Sequence, residues 1–364
     1  MRYAIGVAGQ KYSRGTKKSL WVVPMEKWVE CYRKLAPEAI QLSQERYGIL
    51  RELRDDGTLG RRALAQNLGI SERIARQHVE FLKNSNLVNG GSGGAFLTDD
   101  GKEALQVLNL YIRQMSGMTA LENQLKEKLG LSEVVVVPGD SDQDRMVLHE
   151  LGRAGADLLS QHLEPHSILA VSGGSTLAQV AKGVHRTLPE VVVVPARGGL
   201  GEEVELQANT IASVFAKGLE GNYRMLHVPD GLDPNAIEVL RKSSADVGEI
   251  LDLIQKSDVL VHGIGGAVEM AQRRKVQPEA LKKIKAGKAV GEALGYYFTA
   301  TGKPVHETGG VGIKITELER IRFVLAVSGG GEKGAAILAV LRSGGQDGLV
   351  TDEGAAKEML RLLV

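Results

Sequence analysis

Several things are scarce or missing in this chain of 364 residues, and each absence closes off a class of protein. There is one cysteine, Cys31, so no internal disulfide framework is available and a reducing cytoplasm suits the chain. The formal net charge is only +1, which excludes the global basic field of a histone-like protein. Any nucleic-acid contact has to come from a local patch. No apolar run approaches the ~20 residues that cross a bilayer, so no membrane anchor is expected. The dinucleotide fingerprint is missing, because Gly263-Ile-Gly-Gly266 lacks a third glycine at the right offset and an acidic residue after the next strand. There is no Walker-type phosphate loop and no closely spaced Cys/His set for zinc. Ser172 and Ser328 lack the elbow pattern of a nucleophile, and Asp140, Asp142 and His262 are too scattered to make an acid/base pair. Neither a metal nor a cofactor is expected.

What remains is ordinary for a soluble protein: 43% hydrophobic and 24% charged residues, and length enough for two domains. Residues 1–24 place Lys11, Arg14, Lys17 and Lys18 ahead of a short apolar patch with no Ala-x-Ala site. They read as a disordered basic extension and not as a signal peptide.

From Glu26 to Leu53 the apolar spacing predicts one helix, with Leu35, Ile40, Leu42, Tyr47, Ile49, Leu50 and Leu53 as its buried stripe and Asp55-Asp-Gly57 as its stop. A short helix over Arg61–Leu68, a turn at Gly69 and an N-cap at Ser71 lead into a helix over Glu72–Asn84, with Ile74, Val79 and Leu82 facing inward. Leu87–Thr98 reads as a small hairpin with a glycine-rich tip. Together these predict a winged helix-turn-helix over residues 25–98, whose second helix reads a major groove. The candidate DNA contacts are Arg61, Arg62, Ser71, Arg73, Arg76 and Gln77. Arg73, Arg76 and Gln77 suit base edges, while His78 and Lys83 lie nearer phosphates. A plain solvated helix face would carry the same arginines.

Residues 99–131 predict a linker helix, apolar at Leu105, Leu108, Ile112, Met115, Leu121, Leu125 and Leu129, broken at Gly117 and packing on a partner subunit. Over residues 132–364 the pattern changes to strands alternating with helices, the mark of α/β architecture with an open parallel sheet. The strands are expected at 133–137, 168–172, 191–195, 224–228, 259–263, 323–328 and 349–351, with one long helix over Asn235–Lys256.

Ligands of such sheets bind beyond the carboxyl ends of the strands. Four glycine turns fall there: Gly173-Gly174, Gly198-Gly199, Gly263–Gly266 and Gly329–Gly331. The first runs straight into a helix starting on Ser175-Thr176, a place where free N–H groups and the helix dipole favour phosphate. Around the rim stand Arg197, Arg273, Arg274, Lys333, Glu292, Gln207 and Asn209. Arg197 could grip a phosphate bidentately, and Glu292 could accept from sugar hydroxyls. Each alone could be surface solvation or an ion pair, and glycine turns can serve packing alone. As a set they predict an anionic ligand with a phosphate at each end.

The segments Gly60-Arg-Arg, Leu68-Gly-Ile-Ser-Glu-Arg73, Ser141-Asp-Gln143, Gly173-Gly-Ser-Thr176, Val194-Pro-Ala-Arg-Gly-Gly-Leu-Gly-Glu202, Gln207-Ala-Asn-Thr-Ile211, His262-Gly-Ile-Gly265, Met270-Ala-Gln-Arg-Arg274, Gly295-Tyr-Tyr-Phe298 and Val350–Lys357 resemble the SorC family of bacterial sugar-responsive transcriptional regulators. The resemblance runs from about Met25 to the C-terminus. It implies a winged-helix reader joined to a sugar-phosphate-binding domain related in fold to sugar-phosphate isomerases. It also implies a cytoplasmic homo-tetramer, a dimer of dimers, that binds double-stranded operator DNA and responds to fructose-1,6-bisphosphate or a related sugar phosphate. The effector contacts it implies are Ser175, Thr176, Arg197, Arg273, Glu292 and Lys333, beside the glycines Gly173 and Gly174 and the neighbouring Gln207. The function it implies is repression of central glycolytic genes, with operator binding weakened by the bisphosphate and no enzymatic activity. The alternatives are an isomerase-like enzyme and a regulator answering another sugar.

Overall fold

The computed structural model describes residues 25–364 apart from Ser92, Ser116 and residues 200–202. The expected extension over 1–24, the wing-tip Ser92 and the end of the Val194–Glu202 segment therefore lie outside the described residues.

Two helices, Met25–Leu35 (α1) and Pro37–Asp56 (α2), stand where the spacing predicted one. Pro37 explains the break: it has no N–H to donate and pushes the residue before it out of the helical region. Ile40, Tyr47, Ile49, Leu50 and Leu53 are buried as expected, but Leu35 and Leu42 face outward, 81% and 38% exposed.

Arg61–Asn67 (α3) and Glu72–Asn84 (α4) flank Gly69, which takes the left-handed turn at φ +61°. Ser71 caps α4, its hydroxyl accepting the Ile74 N–H at 3.2 Å. The buried face of α4 is Ala75, His78, Val79 and Leu82, while Ile74 is only half-buried. Val88–Gly91 (β1) and Gly94–Leu97 (β2) pair antiparallel as the wing. Asp99–Met115 (α5) and Met118–Leu129 (α6) are separated at Gly117, φ +77°. That glycine divides the segment between two cores. Leu105 of α5 joins Ile49, Leu50, Leu64 and Leu82, whereas Met118 and Leu125 of α6 sit beneath the large sheet.

The large sheet is built in chain order from Glu133–Val137 (β3), Arg145–His162 (α7), Ile168–Val171 (β4), Ser175–Lys182 (α8), Val192–Pro195 (β5), Ala208–Leu219 (α9) and Asn222–Tyr223 (β6). Pro234–Ser243 (α10), Ala245–Gln255 (α11) and Val259–His262 (β7) follow. An insertion comes next: Gly265–Gly266 (β8), Ala267–Arg273 (α12), Pro278–Ala286 (α13), Ala289–Ala293 (β9), Tyr296–Thr299 (β10) and Pro304–Glu307 (β11). Phe323–Val327 (β12), Gly334–Arg342 (α14), Gly348–Asp352 (β13) and Glu353–Leu362 (α15) complete the chain.

Seven strands run in the order β3-β13-β12-β7-β4-β5-β6, every pair parallel. Separate apolar clusters cover its two faces, so β12 is buried at all five positions and reads as unbroken Phe-Val-Leu-Ala-Val.

Two expectations are corrected in the sheet domain, and one sheet is added to it. The strand at 224–228 is only Asn222–Tyr223, because the Asn209 amide occupies both the N–H and the carbonyl of Leu226 at 2.9 and 3.0 Å. The helix at 235–256 breaks at Ser244, whose hydroxyl starts a new one by accepting from Val247 N–H at 3.4 Å. The antiparallel sheet β11-β10-β9-β8 was not foreseen. Its strands are two to five residues long and show no alternation of polar and apolar side chains.

Candidate functional site

The four glycine turns follow β12, β7, β4 and β5, which are adjacent in the sheet, so they converge on one edge. The chain leaves β4 toward β5 and β6 and later returns through β7 on its other side. That reversal opens a crevice at the carboxyl ends of the strands. A cavity of about 160 Å³ fills it. All nine expected effector residues line it: Gly173, Gly174, Ser175, Thr176, Arg197, Gln207, Arg273, Glu292 and Lys333.

The cradle is the start of α8. Gly174 adopts φ +119°, a conformation L side chains rarely take, and no side chain caps the helix. Gly173 is equally constrained, since a Cβ there would come 2.7 Å from the Leu206 carbonyl oxygen. Ser175, Thr176 and Leu177 open the helix on the cavity with an uncapped first turn, the arrangement that attracts an anion.

The second glycine turn differs from its expected role. Gly330 N–H donates to Asp352 Oδ2 at 2.7 Å, Gly331 N–H to Asp140 Oδ1 at 3.1 Å and Glu332 N–H to Asp142 Oδ2 at 2.9 Å. The chain's own carboxylates already fill this cradle. Asp140 and Asp142 are thus structural, and only Lys333 from this turn reaches the cavity. Lys333 makes no ion pair among the described residues.

Arg197 is nine-tenths buried and its terminal nitrogens are held from behind. They donate to Leu294 O, to Asp230 Oδ1 at 2.7 Å and to Thr308 O at 3.1 Å, while Nε has no partner. Arg274 pairs with the other Asp230 oxygen and with Glu292 Oε1 at 2.9 Å. The Arg197–Asp230–Arg274–Glu292 chain therefore walls the cavity. Burial alone would depress the Arg274 pKa, but Glu292 and Asp230 outweigh it and hold the guanidinium above its ordinary value. Glu292 also accepts the Gly295 N–H at 2.7 Å, so it braces the wall as well as facing the cavity. Asn209 cannot contact a ligand, both ends of its amide being spent on Leu226.

His262 is fully buried with Nδ1 on the Gly263 carbonyl at 3.0 Å. Desolvation pushes its pKa down to about 4 despite that bond, so it is neutral. The sequence missed Asp230, which lies in no helix or strand, and the cavity-lining Glu203 and Glu269. No periodic signal marks Asp230 or Glu203, which loops place, while Glu269 lies in the first turn of the short α12, whose place beside the cavity only the folded sheet decides. Among the described residues no cluster of His, Cys, Asp and Glu could hold a metal ion.

On the other half of the chain, Arg73, Arg76 and Gln77 lie on the exposed face of α4, spaced i, i+3, i+4. Arg61 and Arg62 are exposed at the start of α3, and Arg62 lies 3.5 Å from Glu72. His78 departs from its expected place: it is 3% exposed and bonds Glu45 at 2.7 Å, facing α2 and not a phosphate. Ser71 is occupied as the α4 cap.

Residues 113–361 match a family model for a sugar-binding domain, and residues 42–112 match the CggR N-terminal DNA-binding domain. The chain belongs to the SorC-type sugar-binding transcriptional regulators. It is 44% identical to the central glycolytic genes regulator of Priestia megaterium, covering 93% of this chain and 99% of that one. Identity to the central glycolytic genes regulator of Bacillus subtilis is 42%, with coverage of 93% and 99%. The crystal structure of a SorC family transcriptional regulator from Enterococcus faecalis matches at TM-score 0.62 and 36% identity, over 66% of this chain and 99% of that chain. The full-length sorbitol operon regulator of Klebsiella pneumoniae has the same fold at TM-score 0.62 and 22% identity, over 87% of this chain and 98% of that one. A SorC-type regulator is a DNA-binding transcription factor and not an enzyme, which settles the isomerase alternative. No helix among the described residues is long and apolar enough to cross a membrane.

Proposed function

We propose that this chain represses central glycolytic genes and that fructose-1,6-bisphosphate weakens its grip on operator DNA. The observation that carries the reading is the single cavity shared by the uncapped start of α8, Lys333, Arg273 and Arg197. One phosphate would lie on the N–H groups of Ser175 and Thr176, and the other against the arginine side of the cavity. Gly173 and Gly174 allow the close approach, while Gln207 and Glu292 offer hydrogen-bond partners to the sugar hydroxyls. On the DNA side, Arg73, Arg76 and Gln77 would read base edges, with Arg61, Arg62 and the Ser71-capped start of α4 held on the backbone.

The sugar phosphate acts by linkage: it lowers operator affinity only by as much as it prefers the arrangement that binds DNA poorly. The working form is a homo-tetramer in the cytoplasm. Trp28, Val107 and Tyr111 on α1 and α5 are 48%, 67% and 40% exposed, apolar surface that a second copy would cover.

A gel shift on the operator upstream of the chain's own gene, titrated with fructose-1,6-bisphosphate and separately with sorbitol, tests the reading. Release by the bisphosphate alone is expected. Release by sorbitol alone, or by neither, overturns the effector assignment.

A further inference from the structure

Away from the cavity, a cluster of charges that the effector reading does not use lies between α2 of the DNA-binding half and α7 of the sheet domain. Met146, Glu150, Arg153 and Asp157 are spaced i, i+4, i+7, i+11 and form one stripe along α7. Arg51 pairs with Glu150, and Arg153 pairs with Glu52 while lying 3.7 Å from Glu150. Tyr47, one turn before Arg51, is within electrostatic reach of Glu150 and Asp157. A Cβ on Gly69, in the turn of the helix-turn-helix, would touch Met146 at 3.9 Å. Glu52 is 1% exposed, and its second oxygen accepts from Asn67 Nδ2 at 2.8 Å. Asn67 ends α3, so the carboxylate that α7 grips also holds the first helix of the reading motif.

The opposite face of α7 lies on α8 with almost no space between the backbones. A Cβ on Gly152 would come 2.7 Å from the Gln179 backbone, and one on Gly155 would come 2.9 Å from Val180. One on Gly183, just past α8, would lie 3.3 Å from the Cα of Arg153 itself. The eight residues of α8 span only ~12 Å. The helix begins at the anion cradle and ends against the residue that grips Glu52.

We propose that Arg51, Glu52, Glu150 and Arg153 form an interdomain latch through which α8 sets the pose of the winged helix. A displacement of α8 is passed to α7, because glycine contacts leave no slack to absorb it. At the far side the link is a few directional ion pairs and not an interdigitated apolar face, so it has two arrangements, made and broken. Arg153 does not line the cavity and acts through Glu52 and Glu150, so it is a positioning residue. The identity of the ligand rests on the effector reading above, whereas the latch itself does not.

The test uses the full chain spin-labelled at Cys31, its sole cysteine and exposed on α1, and at Lys357→Cys, exposed on α15. The labelled chain is diluted in excess unlabelled Cys31→Ser chain so that only distances within one subunit are read by dipolar spectroscopy. A single narrow distance is expected for the parent chain and a broadened one for Arg153→Met and Glu150→Gln, with Arg153→Lys restoring it. Glu150→Gln leaves the buried Glu52–Arg153 pair intact and decides the matter if Arg153→Met fails to fold. Calorimetry should find unchanged fructose-1,6-bisphosphate affinity in the variants while release of operator by the sugar falls roughly tenfold. An unchanged distance distribution in both variants overturns the latch. If the bisphosphate fails to bind the parent chain while the variants still broaden, the effector reading falls and the latch stands.

Discussion

At the scale of single residues, the start of α8 and the braced wall of the cavity each contribute one side chain that can be tested. Thr176 opens the uncapped helix, and Arg197 is the guanidinium pinned by Asp230. Thr176→Ala combined with Arg197→Ala should leave operator affinity intact and abolish its response to fructose-1,6-bisphosphate, as read by fluorescence anisotropy. Loss of operator binding in the absence of sugar would show instead that these residues serve the fold. His262 predicts a pH effect. It is neutral when folded, with a pKa near 4, and sits near 6.5 when the chain unfolds. A depressed folded value means that its contribution is present above pH 6.5 and is lost as pH falls toward 4. Between pH 7 and pH 5 this group should remove about 2 kcal/mol of stability. Urea denaturation of His262→Leu should show a shallower loss over that interval, and an identical slope would exclude His262 as the cause.

At the scale of elements, α4 shows how one helix divides its labour. Its inner face spends Ala75, His78, Val79 and Leu82 on packing, which leaves Arg73, Arg76 and Gln77 free at helical spacing. Arg73→Ala or Arg76→Ala should relax operator discrimination by ~1–3 kcal/mol if either reads a guanine, measured by competition between operator variants. Unchanged preference after both substitutions removes them from that role. Ser71→Ala should cost about 1 kcal/mol of stability by unmaking the cap and should weaken binding to all sequences alike. The helices and buried strands around this motif were legible because their periods are strong: β3, β7 and β12 are near-continuous aliphatic runs. The short β8–β11 sheet was not, since strands this brief depend on tertiary partners for their pairing.

At the scale of the whole molecule, two cores are joined by a polar seam. Leu50, Leu64 and Leu82 belong to an apolar cluster separate from the two that sandwich the large sheet. Denaturation by guanidinium should therefore show two transitions. Trp28 lies on α1, whose Val29 packs with Ile40 of α2, so in a Trp21→Phe chain its fluorescence should report the N-terminal unit while ellipticity follows the whole chain. Coincident curves would mean that the seam couples the halves into one cooperative unit. The proposed DNA contacts form a local basic face in a chain of net charge +1, so operator affinity read by fluorescence anisotropy should fall steeply as salt rises, and an affinity indifferent to salt would exclude phosphate contacts from that face.

The sequence by itself determined the parallel α/β architecture, the winged helix and the nine expected side chains around the glycine rim, because hydrophobic period, glycine punctuation and chain order are local properties. It could not tell which of two similar glycine turns stays open. Ala-Val-Ser-Gly-Gly occurs at both 170–174 and 326–330, yet only the tertiary structure brings Asp140, Asp142 and Asp352 onto the second. Nor could it foresee Asp230 behind Arg197, or Glu52 beneath Arg153. Those partners are 33 and 101 residues apart, and a pairing at that range is chosen by how the sheet and helices fold back on one another.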